Sequence, residues 1–198
     1  MAIITFPDIQ PDRVKWALET NSRMTDSTWT KTVQVEELDG SQWVAELSFK
    51  DLNPVETRLM QAFLWACKGP VNAFYLPDFV FPFPSGSAAG TPRVKGTDQT
   101  GITLDTDGWS PNSLVLKAGD AFEVDGNYRG VTADVTSDGA GLATIPLSHR
   151  LYNAPLNNAL LEVLAPKVLM QLKDDRQGGR ATTGNLHSTF SLSVREVL

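Results

Sequence analysis

Apolar side chains recur at every second position in three separate stretches of this chain. The members are Val14, Trp16 and Leu18; Trp43, Ala45, Leu47 and Phe49; and Phe190, Leu192 and Val194. Successive side chains of a strand point to opposite faces, so each stretch predicts a strand with one buried face. The last of these strands needs a sheet to join, and the earlier two strands offer one.

The segment before the second stretch predicts a turn and a partner strand. Residues 30–37 are rich in Thr and Val, which favour extended structure. Asp39-Gly40 then supplies the residue types that adopt positive φ in tight turns. We therefore predict a β-hairpin over residues 29–50.

One segment has the pattern of a helix. Asn53 is suited to the N-cap, Pro54 to the first helical position and Glu56 to the acidic position of a capping box. Apolar residues then recur at helical spacing, and they are Val55, Leu59, Met60, Phe63, Leu64 and Cys67. Because Gly69-Pro70 ends the pattern, we predict a helix over residues 54–68.

The composition changes after the helix. Residues 71–83 are apolar and aromatic, but Pro77, Pro82 and Pro84 argue against a central strand beyond Leu76. Residues 85–91 are small and predict a linker. From residue 92 to 166, short β-like segments alternate with turns, and the turns are Asp107-Gly108, Ala118-Gly119-Asp120, Asp125-Gly126 and Asp138-Gly139-Ala140-Gly141. This spacing is typical of a small barrel or sandwich.

These patterns predict a fold dominated by β-structure, with one main helix. Residues 1–84 and 167–198 would form a discontinuous, β-sandwich-like outer domain that contains the helix. Residues 92–166 would be a small β-barrel or sandwich inserted into it. Residues 167–172 predict a strand, and the polar, Gly-rich residues 177–185 predict a mobile loop.

Charge and composition exclude several kinds of partner. Of the residues, 41% are hydrophobic and 20% charged, and the net charge is −6. Lys and Arg do not cluster as they do in proteins that neutralise phosphates, so we expect no nucleic-acid contact. We see neither a signal peptide nor an apolar run of about 20 residues, so we expect no membrane insertion. The single cysteine, Cys67, cannot form an intrachain disulfide, which fits a reducing cytoplasm.

The residues that could carry chemistry stand in no catalytic pattern. His149 and His187 lie in neither a nucleophile-elbow nor a metalloprotease motif, and both are expected at the surface or rim. Cys67 lies on the apolar stripe of the helix, where a buried thiol is expected. Residues 105–108 (Asp-Thr-Asp-Gly) lack the spacing of a calcium loop. We therefore predict a protein that is not an enzyme, with no catalytic residue, no cofactor and no metal site.

The five tryptophans raise a second interpretation, that of a carbohydrate-binding module centred on residues 92–166. Trp16, Trp43 and Trp65 fall on apolar faces and predict core packing. Trp29 and Trp109 lie near segment ends and are freer. On this alternative, Trp109 would contact a host-surface glycan.

Two stretches resemble distal tail and related minor tail proteins of long-tailed bacteriophages. The first is residues 43–49, followed by the capped helix and then by residues 68–76. The second runs from residues 116–122 through residues 131–135 to residues 138–145. The second pattern is similar to the β module of these tail-tip proteins, and together the stretches cover about half of the chain.

The resemblance implies a structural virion component at the tail tip, assembled in the cytoplasm of the host bacterium. Such subunits form a ring, commonly a homohexamer, that connects the tail tube protein to other baseplate hub proteins. The inserted module would project outward, toward baseplate parts or host sugars. The family has no catalytic residues to carry over.

A ring subunit needs aromatic patches that become buried only on assembly. The aromatic residues between 74 and 83 are our candidates for this interface, and they are Phe74, Tyr75, Phe79, Phe81 and Phe83. A core strand followed by an inter-domain hinge would explain the same segment, and the sequence leaves both interpretations open.

Overall fold

The structure is a computed structural model that describes residues 1–182 and 187–197. Within these residues the fold is dominated by β-structure and has one α-helix, as predicted. The strands are β1 (Ile3–Ile4), β2 (Arg13–Glu19), β3 (Ser22–Asp26), β4 (Val33–Glu37), β5 (Gln42–Leu52), β6 (Ala73–Pro77), β7 (Gly90–Val94), β8 (Gly101–Trp109), β9 (Leu114–Leu116), β10 (Ala121–Val124), β11 (Asn127–Gly130), β12 (Val135–Thr136), β13 (Ala143–Leu151), β14 (Lys167–Leu172), β15 (Ala181–Thr182) and β16 (Ser188–Glu196). The α-helix is α1 (Pro54–Cys67), and a 3₁₀ turn (Gly69–Val71) follows it.

The chain divides into two compact units. The first unit comprises residues 1–74 and the chain from Met170 onward, and the second comprises Tyr75–Leu169. The outer segments were expected to run to residue 84 and to resume at residue 167, so the observed divisions differ by ten residues and by three.

Residues 85–91, expected to be a linker, belong to the second unit. The Ser87 and Ala88 N–H groups donate to the carbonyl oxygens of Leu114 and Val115, at 3.1 and 2.9 Å. Gly86 is packed so closely that a Cβ there would collide with the Val115 carbonyl. Small residues therefore serve close backbone packing here, rather than flexibility.

The first unit is built on a sheet with the strand order β1-β6-β14-β16-β5-β2. The three alternating stretches of the sequence are β2, β5 and β16, and the last joins the sheet of the earlier two, as predicted. Strand β16 pairs antiparallel with β5, which pairs with β2 on its other side. Phe190 lies opposite Phe49, and Leu192 lies opposite Leu47. All four side chains are buried on one face of the sheet. The short strand β15 pairs with β16, and the rest of the predicted loop, residues 183–185, lies outside the described residues.

The hairpin predicted over residues 29–50 is wrong. Strand β4 pairs with β3, from Ser22↔Glu37 to Asp26↔Val33, while β5 pairs with β2 and β16. The chain reverses within residues 27–32, where Ser27 N–H donates to Thr32 O and Lys31 N–H donates to Ser27 O. Asp39-Gly40 instead connects β4 to β5 without reversing the chain, although Gly40 does adopt a positive φ of 105°. We call residues 22–37 the arm.

The helix begins and is capped as predicted. The Asn53 side chain accepts hydrogen bonds from Val55 N–H and Glu56 N–H, and Glu56 accepts one from Asn53 N–H. Met60, Phe63 and Cys67 are buried, and the Phe63 ring lies 5.2 Å from Phe6 and 5.0 Å from Phe74. These aromatic contacts fix the inner face of the helix within the first unit.

The second unit contains three separate sheets, with strand orders β7-β8-β13, β10-β11 and β9-β12. They enclose one core, whose members include Val94, Leu104, Trp109, Phe122 and Ile145. The pairings that the structure describes do not close into a barrel. The unit is therefore a set of small sheets around a shared core.

Local turn signals in this unit were correct at three sites and wrong at one. Asp120 N–H donates to Lys117 O and Gly141 N–H donates to Asp138 O, so the turns predicted at residues 118–120 and 138–141 are present. Asp125-Gly126 joins β10 and β11 as a two-residue turn with positive φ at both positions, as predicted. Asp107-Gly108 was predicted as a turn but lies inside β8. Gly108 has a φ of 78°, and a Cβ there would collide with the Thr91 carbonyl, so this glycine allows a close approach between strands.

We predict that Asp120→Ala destabilises the second unit by about 3 kcal/mol, because three backbone N–H groups in partly buried hydrogen bonds lose their shared carboxylate acceptor. The carboxylate accepts the N–H groups of Ser85, Gly86 and Lys117 at 2.7, 3.1 and 2.7 Å. Urea unfolding followed by tryptophan fluorescence measures the change. Asp134→Ala is the control, since that exposed carboxylate accepts one N–H, from Ala118. Equal losses in the two variants would contradict the role given to Asp120.

Candidate interaction surfaces

The arm has one apolar face and one polar face. In an antiparallel pair, residues opposite each other share a face, and successive pairs alternate between faces. The pairs Ser22–Glu37, Met24–Val35 and Asp26–Val33 therefore lie on one side, which we call the apolar face of the arm. The pairs Arg23–Glu36 and Thr25–Gln34 lie on the other side and are polar.

The apolar face of the arm is open to solvent. Met24, Val33 and Val35 keep 67%, 54% and 61% of their surface exposed. Every residue of β3 and β4 is exposed, so nothing in the described chain covers either side. A two-stranded ribbon is at best marginally stable alone in water. This uncovered apolar face is therefore a candidate interaction surface.

Backbone and side-chain hydrogen bonds fix the turn at the tip of the arm, and this turn exposes a tryptophan. Thr30 N–H donates to the Ser27 hydroxyl at 3.2 Å, and Lys31 adopts a positive φ of 56°. Trp29 is 95% exposed within this turn. Tryptophan is the residue type most enriched at the centres of protein interfaces. The sequence placed Trp29 near the end of a segment and away from the core, but it did not predict that Trp29 lies at the tip of a two-stranded ribbon.

The helix has a second apolar stripe on its outer side. Val55, Leu59 and Ala62 follow one another at intervals of four and three residues, and all three are exposed. Trp65, beside this stripe, is 71% exposed. We call these four residues the outer stripe of the helix. The prediction that Trp65 packs in the core was therefore wrong, because helical spacing alone does not tell an inner from an outer face.

The aromatic residues predicted as an oligomer interface divide into two groups. Phe74 is fully buried against Phe6 and Phe63, so its assignment to an interface was wrong. Tyr75, Phe81 and Phe83 are exposed, and Phe79 is half-buried. The Asp78 carboxylate accepts the N–H groups of Val80 and Phe81, which fixes the loop that presents Phe81. The exposed members remain candidates.

Trp109 cannot serve as the predicted glycan contact in this structure, because it is a core residue. Only 3% of its surface is exposed, and its indole N–H donates to the Thr106 hydroxyl at 2.8 Å. Its position near a segment end suggested freedom, but the segment is the interior strand of a three-stranded sheet. The carbohydrate-binding interpretation loses the residue that supported it.

A polar recess of about 460 Å³ lies in the second unit. Its acidic groups already have local partners: Asp105 accepts the Thr144 hydroxyl, and Asp138 accepts Ala140 N–H and Leu142 N–H. The last two bonds lower the pKa of Asp138, with the Leu142 contribution the larger. The lining holds no aromatic side chain, and residues 1–182 and 187–197 contain no group of three or more potential metal ligands. The recess thus offers no distinctive chemistry.

His149 was expected at a rim and is instead buried. Burial, and to a smaller extent the positive charge of Arg129, lowers its pKa to about 4. Its Nδ1 lies 3.1 Å from the Ser148 hydroxyl. A histidine that stays neutral in this way is a poor general base at neutral pH, because its ring binds a proton weakly.

Cys67 is buried on the inner face of the helix, as predicted. Burial raises the pKa of its thiol to about 11, so the reactive thiolate is scarce at neutral pH. His187 is exposed, and its Nδ1 lies 2.9 Å from the Asp51 carbonyl oxygen. Of these three groups, His149 contacts a hydroxyl nucleophile, Ser148, but its low pKa makes it a weak base at neutral pH.

The comparisons with known proteins identify no relative of this chain. A scan of the chain against protein-family models found no match, and neither did a search of curated proteins. In the described part of the chain, no helix has the length and apolar character needed to cross a bilayer.

We predict that His149 makes the second unit less stable in acid. An unfolded chain binds a proton at His149 below about pH 6.5, whereas the folded protein binds one only near pH 4. Stability from this residue is therefore complete above pH 6.5 and falls by about 3 kcal/mol as the pH drops to 4. Urea unfolding of the wild type and His149→Gln between pH 7 and 4 measures the difference. Parallel pH profiles for the two proteins would show that the histidine is not involved.

Proposed function

We propose that this chain is a structural, self-assembling subunit of the tail tip of a long-tailed bacteriophage. It would form a ring of identical copies, commonly six, between the tail tube protein and other baseplate hub proteins. Its work would be self-association and docking, without bond-making. The resemblance of residues 43–76 and 116–145 to distal tail proteins supports the class, and the surfaces of the first unit support the mode of action.

The observation that carries this proposal is the uncovered apolar face of the arm. Burying a Val or Met side chain contributes about 1.5–3 kcal/mol, so burial of Met24, Val33 and Val35 against another copy would favour association substantially. Trp29 adds a large aromatic surface beside them. A ribbon with one apolar and one polar face is built to lie on another surface with its polar side toward water.

Ring formation requires two different patches on each copy. A contact between unlike patches repeats head to tail and closes into a ring when the rotation permits. The first unit carries two such patches, since the apolar face of the arm and the outer stripe of the helix are both exposed. A ring also needs a hydrophilic side toward its bore, and the sheet offers Lys15, Glu46 and Ser193 on the face away from its core.

We predict that Val35→Asp abolishes assembly while leaving the fold intact. The change places a charge on the apolar face of the arm, where burial against another copy would cost several kcal/mol. Size-exclusion chromatography with light scattering gives the mass, and negative-stain electron microscopy shows whether rings are present. We expect closed oligomers for the wild type and monomers for Val35→Asp.

Gln34→Asp is the matched control, because Gln34 is the neighbouring residue on the polar face of the same strand. It adds the same charge and should assemble like the wild type. A wild-type protein that stays monomeric at hundreds of micromolar, with no rings in micrographs, would overturn the proposal. Equal loss of assembly in both variants would show that the arm does not act through its apolar face.

A further inference from the structure

We infer that the arm of one copy docks, through its apolar face, on the outer stripe of the helix of the neighbouring copy. This inference rests on the proposed function and names the two surfaces that meet. The occupant of the helix stripe is thus a second copy of this chain.

The two apolar surfaces can be compared in length. The ribbon is five residue pairs long, about 13 Å at the rise of a β-strand, and the apolar side chains of its face lie on two of these pairs, Met24–Val35 and Asp26–Val33, with Trp29 extending the apolar surface beyond the last pair. The outer stripe runs from Val55 to Trp65, about 15 Å at the rise of an α-helix. A ribbon laid along the helix would therefore cover the stripe without leaving a long apolar remainder on either side.

The charges beside the two surfaces are opposite. The apolar face of the arm carries two carboxylates, Asp26 and Glu37, and no basic residue. Beside the outer stripe lie Arg58, which is exposed on the helix, and Arg180, whose Nη1 lies 3.3 Å from Gln61 Oε1. The nearby Glu56 carboxylate is held by the helix cap, where it accepts Asn53 N–H. Complementary charges of this kind favour this pairing over others.

The same charges disfavour the simplest alternative, in which two arms pack face to face. Such a pair would bring Asp26 and Glu37 of both copies onto one small interface. Like charges brought together across an interface cost several kcal/mol. A face-to-face contact would also be symmetric, and a symmetric contact ends at a dimer rather than a ring.

Charge reversal tests the pairing of the two surfaces. Glu37→Arg and Arg58→Glu should each weaken assembly about tenfold, as judged by the concentration at which half of the protein is oligomeric. The double variant restores opposite charges, so its assembly should return to within about threefold of the wild type. Glu36→Arg is the control, since Glu36 lies on the polar face of the arm. Failure of the double variant to recover, with both single variants folded and weakened, would overturn the inference.

Cross-linking locates the contact directly. Val35→Cys and Leu59→Cys are made in separate chains, mixed, and treated with a bismaleimide that has a short spacer. Cys67 is buried and should not react, which the wild type treated alone verifies. The expected product is a mixed dimer that joins position 35 of one chain to position 59 of the other. Gln34→Cys mixed with Leu59→Cys should give much less of it.

The outcomes separate this inference from the proposed function. Oligomers that yield only dimers between two Val35→Cys chains would replace the arm-on-helix contact with an arm-on-arm contact. Oligomers that yield neither product would overturn the inference and leave a self-assembling subunit with another interface. A protein that forms no oligomer at all would overturn both.

Discussion

The antiparallel pairing of β5 with β2 on one side and β16 on the other determines the rest of the first unit. Its register places Leu47 between Val14 and Leu192, so that three distant parts of the chain share one apolar face. Strand β3 follows β2 and strand β4 precedes β5, so the β2–β5 pairing also brings β3 and β4 side by side. The arm is therefore a continuation of the two-stranded part of the sheet, beyond the residues that the core can cover.

This arrangement explains how one ribbon can be buried at one end and exposed at the other. In β2 and β5, the alternate side chains face other core residues, and Ala45, Leu47 and Phe49 are buried. In β3 and β4 the alternation continues, but Met24, Val33 and Val35 meet no covering element among the described residues. The period-two pattern is the same in both parts, and only the neighbour is missing. A second copy of the chain could supply that neighbour.

The features that the sequence predicted correctly are those decided by a few adjacent residues. The capping box needs only Asn53 and Glu56 three residues apart, and the two-residue turn needs only Asp125-Gly126 between two short strands. Both depend on local backbone geometry, which nearby residues specify. The alternation in β2, β5 and β16 is likewise local, so it was visible before any pairing was known.

The errors came from features that depend on residues far apart in the chain. Asp39-Gly40 has the composition of a turn, but the pairing of β3 with β4 moves the reversal to residues 27–32. Trp109 lies near the end of a segment, yet β7 and β13 flank its strand and the core covers its ring. Phe74 and Phe81 are equally aromatic, and only the position of Phe6 and Phe63 decides that the first is buried. Periodicity and composition cannot show which surface a distant element will cover.

An exposed apolar ribbon carries a risk, because open strand edges invite uncontrolled pairing. The arm limits this risk with charge: Arg23, Asp26, Glu36 and Glu37 are spread over both of its faces. With Lys31 at the tip, the arm carries three acidic and two basic side chains, but both charged side chains of the apolar face are acidic. Two such faces packed together would repel each other, whereas the arginines beside the helix would attract them. The charges that would keep free arms apart would thus also select the partner surface. Protection before assembly and specificity during assembly would then have one physical cause.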